Sequence, residues 1–257
     1  MAGRTPVTAE LLLELFMSGH RFVHLVGGGG KTTLMFALAR AHVDRGRTVI
    51  TTTTTRILRP GPHLSPEVIT GEVEPAVVRA ALARHGLVTL ALSEEPGTGK
   101  LLGHAPEYLA AIHAARIADA ILVEADGSAG RPLKAHRDHE PVVCPEADRV
   151  IVVTGCDAIG AVLSDASVHR PEIVAERFDV PPGTILDAAL VARVLLEDHL
   201  ARLPSGAAVT FFISRVTGEA RRLAATDLAA RLARDGRVAR IVLGDLAAGR
   251  LECWRSG

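Results

Sequence analysis

The sequence predicts a doubly wound α/β fold, a mostly parallel sheet flanked by helices. Three observations predict it. Short β-branched runs alternate with helical stretches along nearly all of the 257 residues. The first such run ends in four consecutive glycines and then opens a helix. Hydrophobic residues make up 48% of the chain but aromatics only 3%, so the core must be Ala, Leu, Val and Ile, as in strands covered on both faces by helices.

Taken in order, Thr8 can cap a first helix running to about residue 18, where Gly19 stops it. The apolar run 11–17 inside that helix contains Glu14 and lacks a basic leader or cleavage site, so it reads as amphipathic helix and not as a signal peptide. Residues 21–26 read as a strand, 27–30 as a glycine turn, 31–45 as a helix ended by Gly46, and 47–55 as a second strand. Pro60, Pro62 and Pro66 mark a loop. A helix over 75–85, a strand over 87–92, a glycine-punctuated loop over 93–104, a helix over 106–117 and a strand over 120–124 follow. The polar stretch 126–148 is long for a loop, and loops of that length between structured elements are usually functional. Beyond it lie a strand at 149–154, helices at 170–178 and 185–201, a strand at 209–213, a helix at 219–234 and a last strand at 238–243. About seven strands joined by right-handed βαβ units fit one domain over 1–257.

Lys plus Arg and Asp plus Glu balance at 29 each, so no global field draws the chain to nucleic acid or to an anionic membrane. No apolar run reaches the roughly 18 residues of a membrane span. Cys144, Cys156 and Cys253 lie far apart with no CxxC pair, which points to a reduced, cytoplasmic setting.

The chemistry-bearing pattern starts at Gly27, Gly28, Gly29 and Gly30, followed by Lys31, Thr32 and Thr33. Backbone amides close on phosphate oxygens where no Cβ intervenes, and the following helix adds its positive end. Lys31 would reach the β- and γ-phosphates and Thr32 would hold Mg²⁺. The spacing is the compact G-x-x-G-K-T-T form. In the longer G-x-x-x-x-G-K-[ST] form the first glycine would fall where Leu25 stands. A glycine-rich turn with a chance lysine is the bland alternative, and the coincidence of strand, glycines, Lys-Thr-Thr and helix weighs against it.

The strand at 120–124 ends in Glu124 and Asp126, at a carboxyl edge that faces the same crevice as the glycine turn. A carboxylate there can hold Mg²⁺ with Thr32, the role assigned to Asp126, or orient a water or acceptor, the role assigned to Glu124. Arg131 and Lys134 would stabilise a transferred phosphoryl group. His136, Arg137 and His139 follow closely; His136 and His139 with Cys144 also raise a metal site, though the spacing is not diagnostic. A second cluster, Val168-His169-Arg170-Pro171-Glu172, is a helix start that would reach the same crevice. His139, Glu140, His169 and Arg170 are the candidate substrate contacts.

The glycine motif, the threonine run 51–55, Lys100-Leu101-Leu102-Gly103 with Pro106-Glu107, Leu122-Val123-Glu124-Ala125-Asp126-Gly127, Arg131-Pro132-Leu133-Lys134, His139-Glu140-Pro141 and Val168-His169-Arg170-Pro171-Glu172 come in one order. That order resembles the YqeC family of selenium cofactor biosynthesis or selenium-dependent hydroxylase accessory proteins, over roughly residues 20–220. The resemblance implies a P-loop NTPase-like fold and a role in maturing selenium-dependent molybdenum hydroxylases, with such an enzyme or its cofactor-maturation proteins as partner. Relatives often carry Asn-Lys-x-Asp after a late strand, which reads guanine. Here the stretch is Ser214-Arg215-Val216-Thr217, without that carboxylate, so ATP is expected over GTP. The alternatives to an Mg²⁺-dependent NTPase are a ligase or kinase, since the compact loop also resembles that of Mur-type ligases, and a non-catalytic chaperone switched by nucleotide.

Overall fold

The computed structural model describes residues 7–254, so the ends of the expected 1–257 domain lie outside it. Its strands are β1 (Phe22–Gly27), β2 (Val49–Thr53), β3 (Arg56–Leu58), β4 (Val68–Thr70), β5 (Leu87–Ala91), β6 (Ser93–Glu95), β7 (Lys100–Leu102), β8 (Ala120–Glu124), β9 (Leu133–Lys134), β10 (Arg149–Gly155), β11 (Val168–His169), β12 (Ala208–Ser214), β13 (Val238–Asp245) and β14 (Arg250–Cys253). Its helices are α1 (Ala9–Phe16), α2 (Lys31–Val43), α3 (Pro75–His85), α4 (Pro106–Ala114), α5 (Pro171–Phe178), α6 (Ala188–Arg193) and α7 (Gly218–Leu232).

Nine strands form one sheet in the order β14-β13-β12-β10-β1-β8-β2-β5-β4. Every pairing in it is parallel except β13 with β14. The doubly wound, mostly parallel architecture is therefore as the alternation predicts. The central strands β1, β2, β8 and β10 are buried along their whole length, which is why none of them shows the apolar–polar alternation of a half-exposed strand. Thr8 caps α1 by accepting from the Leu11 N–H, and Leu12, Leu15 and Phe16 bury the helix in the same apolar cluster as α2.

Three differences from the sequence reading have local causes. Residues 93–104, expected as a loop, contribute β6 and β7, which join β3 in a three-stranded antiparallel sheet. The three-residue edges β4 and the late β14 add to the main sheet. The helix expected over 185–201 is α-helical only for Ala188–Arg193; it widens into a π turn at Val194–His199 and tightens at Leu200–Arg202. That widened turn carries Asp198 and His199, both fully buried.

The threonine run closes β2 beside β8, with Thr53 opposite Glu124. Thr51 pairs with the Thr89 hydroxyl at 2.7 Å, Thr52 donates to the Leu90 carbonyl at 2.9 Å, and Thr53 donates to the Glu124 carbonyl at 2.7 Å. Their hydroxyls tie β2 to its neighbours β5 and β8.

Candidate phosphate site

Strands β1 and β8 are neighbours, and their register sets Leu25 opposite Glu124. The glycine turn after β1 and the carboxylates after β8 therefore share one edge of the sheet, as expected of a crevice at the carboxyl ends of parallel strands.

The turn is held from outside. Gly27 N–H donates to Asp126 Oδ2 at 2.8 Å, Gly28 N–H to the Val153 carbonyl at 2.8 Å, and Gly29 N–H to the Arg131 carbonyl at 2.9 Å. A Cβ on Gly28 would lie 2.6 Å from the Arg131 carbonyl oxygen, so a side chain there would push the 131–132 backbone away. The amides of the first three glycines are thus engaged with protein groups. The donors without a protein partner among the described residues are those of Gly30 and the first turn of α2. That helix opens on Gly30 with no capping side chain, which leaves Lys31, Thr32 and Thr33 N–H without intrahelical partners.

Lys31 is buried, with its ammonium among oxygens: the Gly27 carbonyl at 2.5 Å, Asp126 Oδ1 at 3.0 Å, Ser128 Oγ at 3.3 Å and Glu124 Oε1 at 3.9 Å. Thr32 Oγ1 donates to Glu124 Oε2 at 2.7 Å, so the carboxylate beside Thr32 is Glu124 and not Asp126. Burial raises the Glu124 carboxyl above its ordinary range against the pull of Lys31 and the Thr32 hydroxyl. Burial works the same way on Asp126, but Lys31, Lys134 and the His136 hydrogen bond outweigh it and hold that carboxyl well below the usual range.

Lys134 is fully buried. Its ammonium donates to the Gly127 carbonyl at 2.8 Å and lies 3.4 Å from Asp126 Oδ2 and 3.6 Å from Glu140 Oε2. Burial lowers its pKa against both carboxylates. Arg170 grips Glu140 with two nitrogens, Nη2 to Oε1 at 3.0 Å, and donates to the Ala135 carbonyl at 3.1 Å. Against its own burial, Glu140 is pulled down to about 2 by the Arg170 hydrogen bond and Lys134. The pairing of β9 with β11, which sets His169 opposite Lys134, draws the two basic segments together. His169 is half-buried, and its pKa is lowered by burial, then by Arg170 and Lys134.

Of the sequence candidates, Lys31, Thr32, Glu124, Asp126, Lys134, Glu140 and Arg170 form one connected chain. Arg131 reaches the turn through its carbonyl; its side chain makes no hydrogen bond or ion pair among the described residues. His139 is exposed and lines a cavity of about 690 Å³ with Arg137, Asp138, Ile173, Glu176 and Arg177. Sequence reasoning missed Ser128, Asp198 and His199, and offered His136 only as part of the basic loop and, with His139 and Cys144, as a metal candidate. His136 Nε2 lies 2.9 Å from Asp126 Oδ2 and its Nδ1 3.0 Å from Asp198 Oδ2. His199 Nε2 donates to the Lys134 carbonyl at 2.9 Å, and its buried ring is pushed down to about 3 by burial, then by His136. The polar triplet Glu197-Asp198-His199 within the expected helix was the available signal, because such groups are buried only when something satisfies them. His136, Asp198 and His199 lie close enough to suggest a cation site. Arg177 and Arg202 already neutralise Asp198, and the two histidines are hydrogen-bonded, so these groups serve one another. Cys144, of the other metal reading, is buried and donates to the Pro106 carbonyl at 3.5 Å.

A strand, a glycine turn with an uncapped helix behind it, a buried lysine and a neighbouring strand ending in carboxylates define the phosphate-loop class of nucleotide-binding α/β proteins. Within that class the chain belongs to the YqeC family: residues 23–172 match the family described as YqeC protein. It is 34% identical over 226 residues to a protein of Escherichia coli strain K12 described as uncharacterized protein YqeC, covering 87% of each chain. It also has a likeness, at 18% identity and a TM-score of 0.40, to the signal recognition particle 54 kDa protein from Aeropyrum pernix K1 in complex with GDP. That likeness covers 96% of this chain and 49% of the other, so the chain spans about half the length of that protein. Among the described residues no helix is long and apolar enough to cross a membrane.

Proposed function

We propose that this chain binds a nucleoside triphosphate with Mg²⁺ and cleaves its terminal phosphate, in service of the maturation of a selenium-dependent molybdenum hydroxylase. The observation that carries the reading is the meeting of Lys31, Thr32, Glu124 and Asp126 at the ends of β1 and β8. The oxygens around the Lys31 ammonium are hard donors already arranged about a cation, and buried Asp126 Oδ1 has that ammonium, at 3.0 Å, as its partner, so the set fits Mg²⁺. Thr32, Glu124 and Asp126 would hold the ion, which would neutralise charge on the phosphates. Lys31 and the uncapped amides of Gly30 to Thr33 would bind phosphate oxygens. Glu124, with its proton affinity raised by burial, would orient and deprotonate the attacking water. ATP is the expected nucleotide, because Thr217 offers no carboxylate to guanine.

The test is a hydrolysis panel of nucleoside triphosphates with Mg²⁺, comparing the wild type with Glu124→Gln. The variant should retain nucleotide binding and lose turnover by at least about a hundredfold. Undiminished turnover would remove Glu124 from the chemistry. A phosphoryl-transfer reading is favoured by a cavity of about 370 Å³ beside the same helix turn, lined by Thr32, Thr33, Phe36, Arg40, His63 and Leu64. Turnover that starts only when a second small anionic substrate is added would select it over plain hydrolysis. The client assignment rests on the family resemblance, and co-purification with a molybdenum hydroxylase or its maturation proteins tests it.

A further inference from the structure

Asp126 presents its two carboxylate oxygens to different surroundings. Oδ2 accepts from the Gly27 amide at 2.8 Å and from His136 Nε2 at 2.9 Å, with Lys134 Nζ 3.4 Å away. Oδ1 has one partner among the described residues, the Lys31 ammonium at 3.0 Å. The difference is set from behind. His136 is completely buried, and its other ring nitrogen meets Asp198 Oδ2 at 3.0 Å, while the His136 backbone amide donates to that same oxygen at 2.9 Å. Asp198 is anchored by Arg177 and, at 3.3 Å, by Arg202. Arg177 also donates to the His136 carbonyl at 3.2 Å. The imidazole therefore sits between two carboxylates and is fixed in place at both nitrogens and at the backbone.

From this geometry we infer that His136 and Asp198 are positioning residues of the phosphate site. They lock Oδ2 of Asp126 toward the interior, so that Oδ1 is presented to the lysine and the divalent cation. This inference rests on the proposed nucleotide site and adds to it two residues that touch neither phosphate nor metal. Removing such a supporting contact lowers metal affinity by roughly ten- to a hundredfold in known sites.

The experiment measures affinity of the full chain for a fluorescent ATP analogue with Mg²⁺ and with EDTA, for the wild type, His136→Ala and Asp198→Asn. The expected result is a gain in affinity from Mg²⁺ in the wild type that shrinks about tenfold in His136→Ala and less in Asp198→Asn, while the affinity in EDTA stays put. Thermal melts and circular dichroism establish that each variant is folded. A full wild-type Mg²⁺ effect in folded His136→Ala would overturn the inference. So would an equal loss with and without Mg²⁺, which is what a purely structural role gives. Where the alanine variant does not fold, Asp198→Asn decides, and an unchanged Mg²⁺ effect in it overturns the inference. A wild type that does not bind the analogue at all defeats the nucleotide site itself, a separate failure.

Discussion

Charged groups in this molecule come in two settings that differ in what they do. The inner chain runs from Lys31 through Asp126 and Lys134 to Glu140 and Arg170, and its first four members are almost wholly withdrawn from water or nearly so. The outer set includes Arg222 with Glu252, Arg59 with Glu94 and Arg231 with Asp227, all substantially exposed. Outer pairs are screened and give up side-chain entropy to form, so each contributes little. Inner charges could not be there unpaired, since each alone would carry a desolvation penalty of several kcal/mol. A fold keeps such a set where the charge itself is needed, and here it borders the glycine turn.

Four expectations sharpen or break that contrast. The largest effect belongs to Asp126→Ala, which strips the shared partner from Lys31, Lys134 and His136 together; denaturant unfolding should show a loss of about 3–5 kcal/mol. A loss below about 1 kcal/mol would mean that the inner chain is no different from the outer pairs. Next, Lys31→Ala should weaken binding of Mg-ATP about a hundredfold, ~2.7 kcal/mol by titration calorimetry, because an ammonium on phosphate has no substitute among the glycine amides. Unchanged affinity would place the nucleotide elsewhere.

The third concerns acid. His199 and His24 have folded-state values lowered to about 3 from 6.5, chiefly by burial. Their neutral rings favour the folded state fully above pH 6.5, and that contribution drains away as pH falls toward 3 while the unfolded chain takes up protons. Glu140, lowered from 4.5 to about 2, adds a second window: its contribution is complete above 4.5 and is lost on the way down to 2. Urea midpoints across pH should therefore fall from 6.5 downward, and Glu140→Gln should flatten only the part below 4.5. The smallest effect is that of Arg222→Ala, whose guanidinium lies 3.4 Å from Glu252 in an exposed pair; its midpoint should move by under about 0.5 kcal/mol, and less still in high salt.

Much of this architecture could be read before any coordinates. The strand at 120–124 and the helix at 75–85 fall where the pattern puts them, because buried parallel strands and proline-started helices leave long, consistent signatures. Strands of three residues such as β6 and β7 leave none: one alternation is indistinguishable from a turn, although the two pair with each other across residues 96–99. The glycine turn, Lys31 and the two carboxylates were legible as a local motif. What Lys134 does was not. Its charge suggested a phosphate contact, whereas burial turned it inward to hold Asp126 and Glu140. The link from Asp198 to His136 was not legible because 62 residues separate them, and only the packing of the widened helix turn brings them together.

The suspension of Gly28 and Gly29 from the carbonyls of Val153 and Arg131 has a consequence for how this motif can be moved or altered. The curvature of the turn is a joint property of the turn itself and of two stretches, around 131 and 153, that lie more than a hundred residues further along the chain, so copying the heptapeptide into another scaffold transfers its letters without its shape. Conversely, lengthening the 128–131 segment by a single residue would disturb the glycine turn from a distance, although it leaves every motif letter intact.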